Sequence, residues 1–252
     1  MGCNRDMASE LPVVLITGAA KRVGAQIART LHCAGYDLAL HYRHSRDEMD
    51  ALRSELEPLR PDSTIGIQGD LSDIPTLSDI VEKCTSRFGR LDAIVNNASA
   101  FFATPLGEAT ADQWDELFAS NARAPFFLAQ AAAPALKKSS GCIVNLVDVY
   151  AEQPLANHPI YSMAKAALAM MTKSLARELA PEIRVNGVAP GAILWPENGQ
   201  TYTNQDNLIA RTPLQRTGTP EEIGKAVLFL IRDATFTTGQ ILKVDGGRSL
   251  VI

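Results

Sequence analysis

The stretch Val13-Val14-Leu15-Ile16-Thr17-Gly18-Ala19-Ala20-Lys21-Arg22-Val23-Gly24 decides the fold, because a β-branched run there meets a glycine turn and then a helical period. Gly18 permits a tight turn and Gly24 a close backbone approach, so the segment reads as a strand, a turn and a helix opening at Val23. The free N–H groups of such a helix start favour a phosphate, which makes a dinucleotide site the natural expectation. Two glycines near a helix start are a weak signal alone, and the rest of the chain supplies the context.

Outward from this unit, short β-branched runs at 13–17, 37–42, 64–68, 93–96, 142–146, 184–189 and 241–244 alternate with longer stretches of helical period. The helical stretches are 23–34, 46–59, 74–88, 112–137, 161–179 and 221–231, and the longest irregular stretch is 190–212. The pattern predicts an α/β protein: a single-domain Rossmann fold with a doubly wound seven-stranded parallel sheet and helices on both faces. Right-handed crossovers place ligands beyond the carboxyl ends of such strands, so the loops after each strand are the ones to inspect.

Composition agrees with one domain over residues 11–252 behind a disordered leader at 1–10, since 46% hydrophobic and 21% charged residues suit a single core. Net charge is −4 with dispersed signs, which speaks against a nucleic-acid or anionic-membrane partner. Cys3, Cys33, Cys84 and Cys142 form no CxxC pair, which argues against a zinc site and a disulfide framework. The start Met1-Gly2-Cys3-Asn4-Arg5-Asp6 places Asp6 where a myristoylation pattern wants Ser or Thr. No run approaches the roughly 20 apolar residues of a membrane span and no signal-peptide core is present, so the cytoplasm is the expected compartment.

The loop after the second strand, His41-Tyr42-Arg43-His44-Ser45, lacks the carboxylate that would receive two ribose hydroxyls. Arg43, with Ser45 and His41, offers instead a cationic donor cluster for a ribose 2′-phosphate, which favours NADPH over NADH. After the third strand, Asp70 either accepts from an adenine amino group, with Leu71 packing the ring, or caps the helix before Ile74. After the fourth, Asn96-Asn97-Ala98-Ser99-Ala100-Phe101 pairs amides that can lock neighbouring strands with small residues that leave room for a cofactor.

The chemical centre is Tyr161-Ser162-Met163-Ala164-Lys165, whose two reactive residues lie four apart on one helix face. A tyrosine normally ionises near ~10, and a neighbouring ammonium stabilises the phenolate, bringing it toward use in proton transfer near neutrality.

These motifs stand in the order of the short-chain dehydrogenase/reductase family, which the chain resembles over nearly its whole length. They are the glycine turn at 17–24, the Asn-Asn-Ala run at Asn96, Asn121 in the long middle helix, Tyr161 with Lys165, and Pro190-Gly191 after the sixth strand. The resemblance implies that Tyr161 donates the proton, Lys165 holds the nicotinamide ribose, Asn121 organises a proton-relaying water, and the chain assembles as a homotetramer. The long helices at 112–137 and 161–179 are apolar enough to bury a partner face.

Two positions depart from the general family pattern. A Ser normally stands thirteen residues before the Tyr, and this chain has Asp148; the middle glycine of the phosphate turn is Arg22. Together with Asn-Asn-Ala-Ser-Ala-Phe-Phe at 96–102 and the ending Lys243-Val244-Asp245-Gly246-Gly247-Arg248, they resemble the pteridine reductases. That resemblance implies a pterin or folate substrate, with Arg22 touching cofactor phosphate and pterin and Phe101 stacking on the pterin ring. A flat heteroaromatic fits between a nicotinamide and a phenyl face; Ser99 can meet its amino-pyrimidine edge, and Asp148 with Tyr161 its ring nitrogens.

The aromatic at 101 or its neighbour Phe102 must also pack the core. The apolar run Ala192-Ile193-Leu194-Trp195-Pro196 reads as a lid in which Leu194 and Trp195 either close over the substrate or simply pack, while His158 before Pro159 reads as exposed. Two alternatives stay open: a general carbonyl or 3-ketoacyl-carrier-protein reductase, for which 148 should be Ser and 22 Gly, and a non-catalytic NADPH-sensing protein.

Overall fold

The structure is a computed structural model that describes residues 11–194 and 205–251. Seven parallel strands, β1 (Val13–Ile16), β2 (Asp37–Tyr42), β3 (Thr64–Gln68), β4 (Ala93–Asn96), β5 (Cys142–Leu146), β6 (Arg184–Pro190) and β7 (Ile241–Val244), form one sheet in the order β3-β2-β1-β4-β5-β6-β7. The helices are α1 (Arg22–Cys33), α2 (Arg46–Leu56), α3 (Ile74–Phe88), α4 (Ala111–Phe118), α5 (Ala124–Lys138), α6 (Pro159–Glu178), α7 (Gln205–Arg211) and α8 (Pro220–Leu228).

Strands buried on both faces read as continuous apolar runs, and their alternation sorts the side chains into two cores. Val14, Ile16, Leu38, Leu40 and Val144 face Ile27 and Leu31 of α1 and Val227 of α8. Val13, Leu15, Ile94 and Ile143 face Leu77 and Ile80 of α3 and Leu128 of α5. Strand order reverses between β1 and β4, which opens a crevice at their carboxyl ends. A buried polar chain crosses the sheet's middle: Asn96 Nδ2 donates to Asn145 Oδ1 at 2.8 Å, and Asn145 Nδ2 to Thr172 Oγ1 at 2.9 Å.

Two expectations change. The helix read as unbroken over 112–137 is α4 and α5 joined by a π turn at Ala119–Arg123. Pro125 brings no N–H to the carbonyl of Asn121 four residues back, so the ladder shifts, and the Ala124 N–H bonds Ala119 instead. The stretch read as irregular contains α7, which buries Leu208 and carries Asp206 in its first turn and Arg211 in its last. The leader at 1–10 and Trp195 lie outside the described residues. Among the described residues no helix is long and apolar enough to cross a membrane.

Candidate active site

The crevice is built on backbone that approaches too closely for side chains. Gly18 holds φ +63°, and a Cβ on Gly24 would stand 2.2 Å from the Gly18 carbonyl and 2.6 Å from Asn97 Nδ2. Asn97 accounts for this closeness, because its amide donates to the carbonyls of Thr17 at 2.9 Å and Gly18 at 3.0 Å, tying the turn after β1 to the loop after β4. Arg22 takes φ 52° without being glycine. Its guanidinium donates to the Leu194 carbonyl at 3.3 Å, which draws the segment after β6 toward the mouth of the crevice.

The resulting cleft has a volume of about 840 Å³. Gly18, Arg22 and Val23 line it beside the N-terminus of α1, Arg43, Asp70 and Leu71 line its far end, and Ala98, Ser99 and Phe101 line the near end. Arg43 Nη1 stands 4.0 Å from Asp70 Oδ2 and is half exposed, free to turn toward an anion. Lys21, Ser120 and Arg123 also line the cleft. The sequence reading passed over them because nothing in their local pattern sets them apart from a solvated helix face.

Several residues named from the sequence sit otherwise than expected. His41 lines the cleft but is buried, and both ring nitrogens are engaged: Nδ1 accepts from Gly18 N–H at 3.3 Å, and Nε2 meets the Gly69 carbonyl at 3.1 Å. Burial pushes its pKa down to about 4, so it is a neutral strut and not part of a cationic cluster. Tyr42 is buried in the core under α1 and α2, while His44 and Ser45 stand beside the rim and not in the lining. Asp70 is not the helix cap. Asp73 holds that position, and Asp70 Oδ1 instead accepts Ser72 N–H at 2.8 Å, which with neighbouring cations holds its carboxyl below the usual range. Pro190 closes β6 and Gly191 follows it, packed against Asp245; like Tyr161 and Lys165, neither is among the residues that line the cleft.

His41 gives a stability prediction. Its folded pKa lies below the ordinary 6.5, so the unfolded chain binds the extra proton. This contribution is complete above pH 6.5 and is lost as pH falls through 4, by on the order of 3 kcal/mol in all. Urea unfolding between pH 7.5 and 4.5 should show a shallower acid loss in His41→Gln than in the wild type. Parallel slopes would defeat the assignment.

Behind the cleft, the Phe101 ring stacks on His158 at 4.9 Å and meets Tyr161 edge-on at 4.7 Å. His158 is therefore buried, contrary to the exposed loop position expected, with Nδ1 on the Ala156 carbonyl at 2.8 Å. Tyr161 Oη donates to Asp148 Oδ2 at 2.8 Å, and Asp148 Oδ1 accepts the Tyr150 N–H at 2.9 Å. Lys165 is buried, its Nζ donating to the Leu146 carbonyl at 2.9 Å and lying 5.8 Å from the Tyr161 ring centroid. Burial lowers Lys165 to about 8 against the pull of Asp148, and burial raises the Asp148 carboxyl against the Tyr150 N–H, Tyr161, Lys165 and Arg248. Asn121 is buried beside the cleft lining: its Oδ1 accepts from Ser99 Oγ at 2.7 Å, and its Nδ2 donates to the Ala100 and Leu117 carbonyls. Among the described residues no group of three or more His, Cys, Asp or Glu side chains could hold a metal.

A cradle suited to a dinucleotide, leading to a buried phenol beside an ammonium and a carboxylate, is the equipment of an α/β oxidoreductase. A family model described as enoyl-(acyl carrier protein) reductase matches residues 18–249. The chain is 39% identical to pteridine reductase 1 of Leishmania tarentolae, over 95% of this chain and 96% of that one. It is 33% identical to a 3-oxoacyl-[acyl-carrier-protein] reductase of Staphylococcus aureus, over 92% and 96%. The chain belongs to the short-chain dehydrogenase/reductase family.

Proposed function

We propose that this oxidoreductase uses NADPH to reduce a C=N bond of a pterin, a dihydropterin to its tetrahydro form, with oxidised pterins and dihydrofolate as further substrates. The observation that carries the reading is the 2.8 Å bond between Tyr161 Oη and Asp148 Oδ2, in a position where ketone reducers of this family have Ser. The likeness to pteridine reductase 1 supports it.

The residues fit the cofactor. The close approach at Gly24 and the N-terminus of α1 suit a pyrophosphate, Arg43 suits a 2′-phosphate, and Asp70 with Leu71 borders the place for adenine. When bound, the reduced nicotinamide supplies a hydride to the pterin carbon. Tyr161 supplies the proton to the adjacent nitrogen. With Asp148 ionised, Tyr161 donates to it; once Asp148 takes up a proton, the same contact runs in reverse and frees the phenol proton for the substrate. Burial, which raises the Asp148 carboxyl, favours that protonated state. Lys165 keeps positive charge beside the phenol and holds the nicotinamide ribose, and in this reading Asn121 organises the water that relays protons. Phe101 offers its ring to the pterin, with Ser99 and Arg22 toward the polar edge and Leu194 at the mouth.

The reading takes a cytoplasmic homotetramer acting on small molecules, with no nucleic-acid or membrane partner. Exposed apolar side chains on α4 to α6 (Trp114, Phe126, Met163, Met170) and near β7 in sequence (Phe229, Phe236, Leu242, Leu250) are available to pack against other copies, which supports this part of the reading.

The test is NADPH oxidation with dihydrobiopterin, dihydromonapterin, dihydrofolate and a panel of ketones. Turnover of pterins is expected; brisk ketone reduction without any pterin turnover would sink the reading and favour a ketoacyl reductase, which the Staphylococcus relative's name suggests. Arg43→Glu should weaken NADPH relative to NADH by on the order of tenfold or more, measured as the ratio of kcat/KM values. An unchanged ratio would remove Arg43 from the 2′-phosphate site.

A further inference from the structure

Arg248 lies on the turn that follows β7 and is only 8% exposed. That turn is tightly pinned. The Asp245 carboxylate accepts Gly247 N–H at 2.9 Å and Ser249 N–H at 2.8 Å, and Arg248 N–H donates to the Asp245 carbonyl at 3.1 Å. Gly246 and Gly247 take φ 63° and 84°, which only glycine adopts readily, and the guanidinium is thereby directed inward. Its Nη2 reaches Tyr150 Oη at 3.4 Å, and its Nε is buried with no hydrogen-bond partner among the described residues.

A guanidinium does not shed its proton, so burying one is costly unless negative charge lies nearby. The Asp245 carboxylate is taken up by the N–H groups of the turn itself, and the carboxylate that Tyr150 links to Arg248 is Asp148, two residues before it. Tyr150 touches both groups: its N–H donates to Asp148 Oδ1 at 2.9 Å, and its Oη meets Arg248. The groups acting on Asp148 are the Tyr150 N–H from its own turn, Tyr161 and Lys165 from α6, and Arg248 from the turn after β7. Two buried cations thus attend one carboxylate, and Arg248 is the one that touches neither the phenol nor the expected cofactor.

We propose that Arg248 is a positioning residue of the active site, whose buried, fixed charge favours the ionised form of Asp148. This rests on the reading of Asp148 as the proton source. Lys165 serves the phenol and the ribose, whereas Arg248 comes from the turn after β7, reaches Tyr150, and opposes with its charge the effect of burial on the Asp148 carboxyl. The turn after β7 thereby acts on the proton source although none of its residues lines the cleft.

The test labels aspartate γ-carbons with 13C in the full chain with NADPH bound, assigns Asp148 by its loss in Asp148→Asn, and titrates wild type, Arg248→Met and Arg248→Lys. In Arg248→Met the protonated-to-ionised ratio of Asp148 at the wild-type midpoint should rise on the order of threefold or more. Arg248→Lys should restore the wild-type titration, and Tyr150→Phe, which keeps the charge, should leave it near wild type. If Arg248→Met does not fold, Arg248→Gln takes its place. An unmoved midpoint in the neutral variant, or equal shifts in the neutral and Lys variants, would overturn the proposal and leave Arg248 as packing alone. The readout needs no substrate, so failure of every pterin to turn over would defeat the functional reading without touching this result.

Discussion

Tyr161→Phe should lower kcat by roughly 10²- to 10⁴-fold, the usual worth of a positioned proton donor, while NADPH affinity stays close to wild type. The substitution removes one oxygen from a buried ring whose packing against Phe101 is edge-on and is retained by phenylalanine. It also takes from Asp148 Oδ2 the donor at 2.8 Å, so the carboxyl loses one of its partners. Stopped-flow measurement of NADPH oxidation separates the two effects, because hydride transfer should slow along with steady-state turnover. A variant that turned over pterin within a few-fold of wild type would remove Tyr161 from the chemistry.

The second large effect is expected from Asp148→Ser. Serine restores the hydroxyl found at this position in ketone-reducing relatives, and its side chain can still accept the Tyr150 N–H that opens the turn at Val149–Ala151. What it cannot do is hold a proton in reserve for Tyr161. Pterin reduction should therefore fall by on the order of 10²-fold in kcat/KM, with the NADPH dissociation constant little changed, and any ketone activity should be spared or improved. Parallel losses in cofactor binding and in turnover would mean that Asp148 serves the architecture and not the reaction. Comparison with Asp148→Asn, which preserves shape without a titrating group, separates charge from volume.

The strands were legible almost to the residue because parallel strands buried on both faces are largely apolar: β1 is entirely buried and entirely apolar, and β2, also entirely buried, is interrupted only by Asp37 and His41. Helices covering one face show their period just as plainly. The π turn at Ala119–Arg123 was hidden for the opposite reason: one extra residue in a turn barely disturbs the spacing of apolar side chains, although Pro125 marked the place. In the site, Tyr161 and Lys165 could be placed together because four-residue spacing on a helix is local geometry, whereas Asp148 was set beside them by the family resemblance alone. His41 and His158 could not, since their burial depends on Gly69 and Phe101, contributed by other elements. The same holds for Arg248, which reaches Tyr150 from 98 residues away in the chain.

The amide chain from Asn96 through Asn145 to Thr172 bears on how the sheet finds its alignment. Asn96 and Asn145 are register partners on adjacent parallel strands whose other paired residues, Ala93 with Cys142, Ile94 with Ile143 and Val95 with Val144, are apolar. Those apolar pairs would tolerate a slip of two residues, since the same faces would still be buried. The amides would not, because each would then lie unsatisfied in an apolar layer at a cost of about 1–3 kcal/mol apiece. This polar thread acts as a key: it adds little to the depth of the native well, but it raises every misaligned pairing above it, so that the carboxyl ends of β4 and β5 come level.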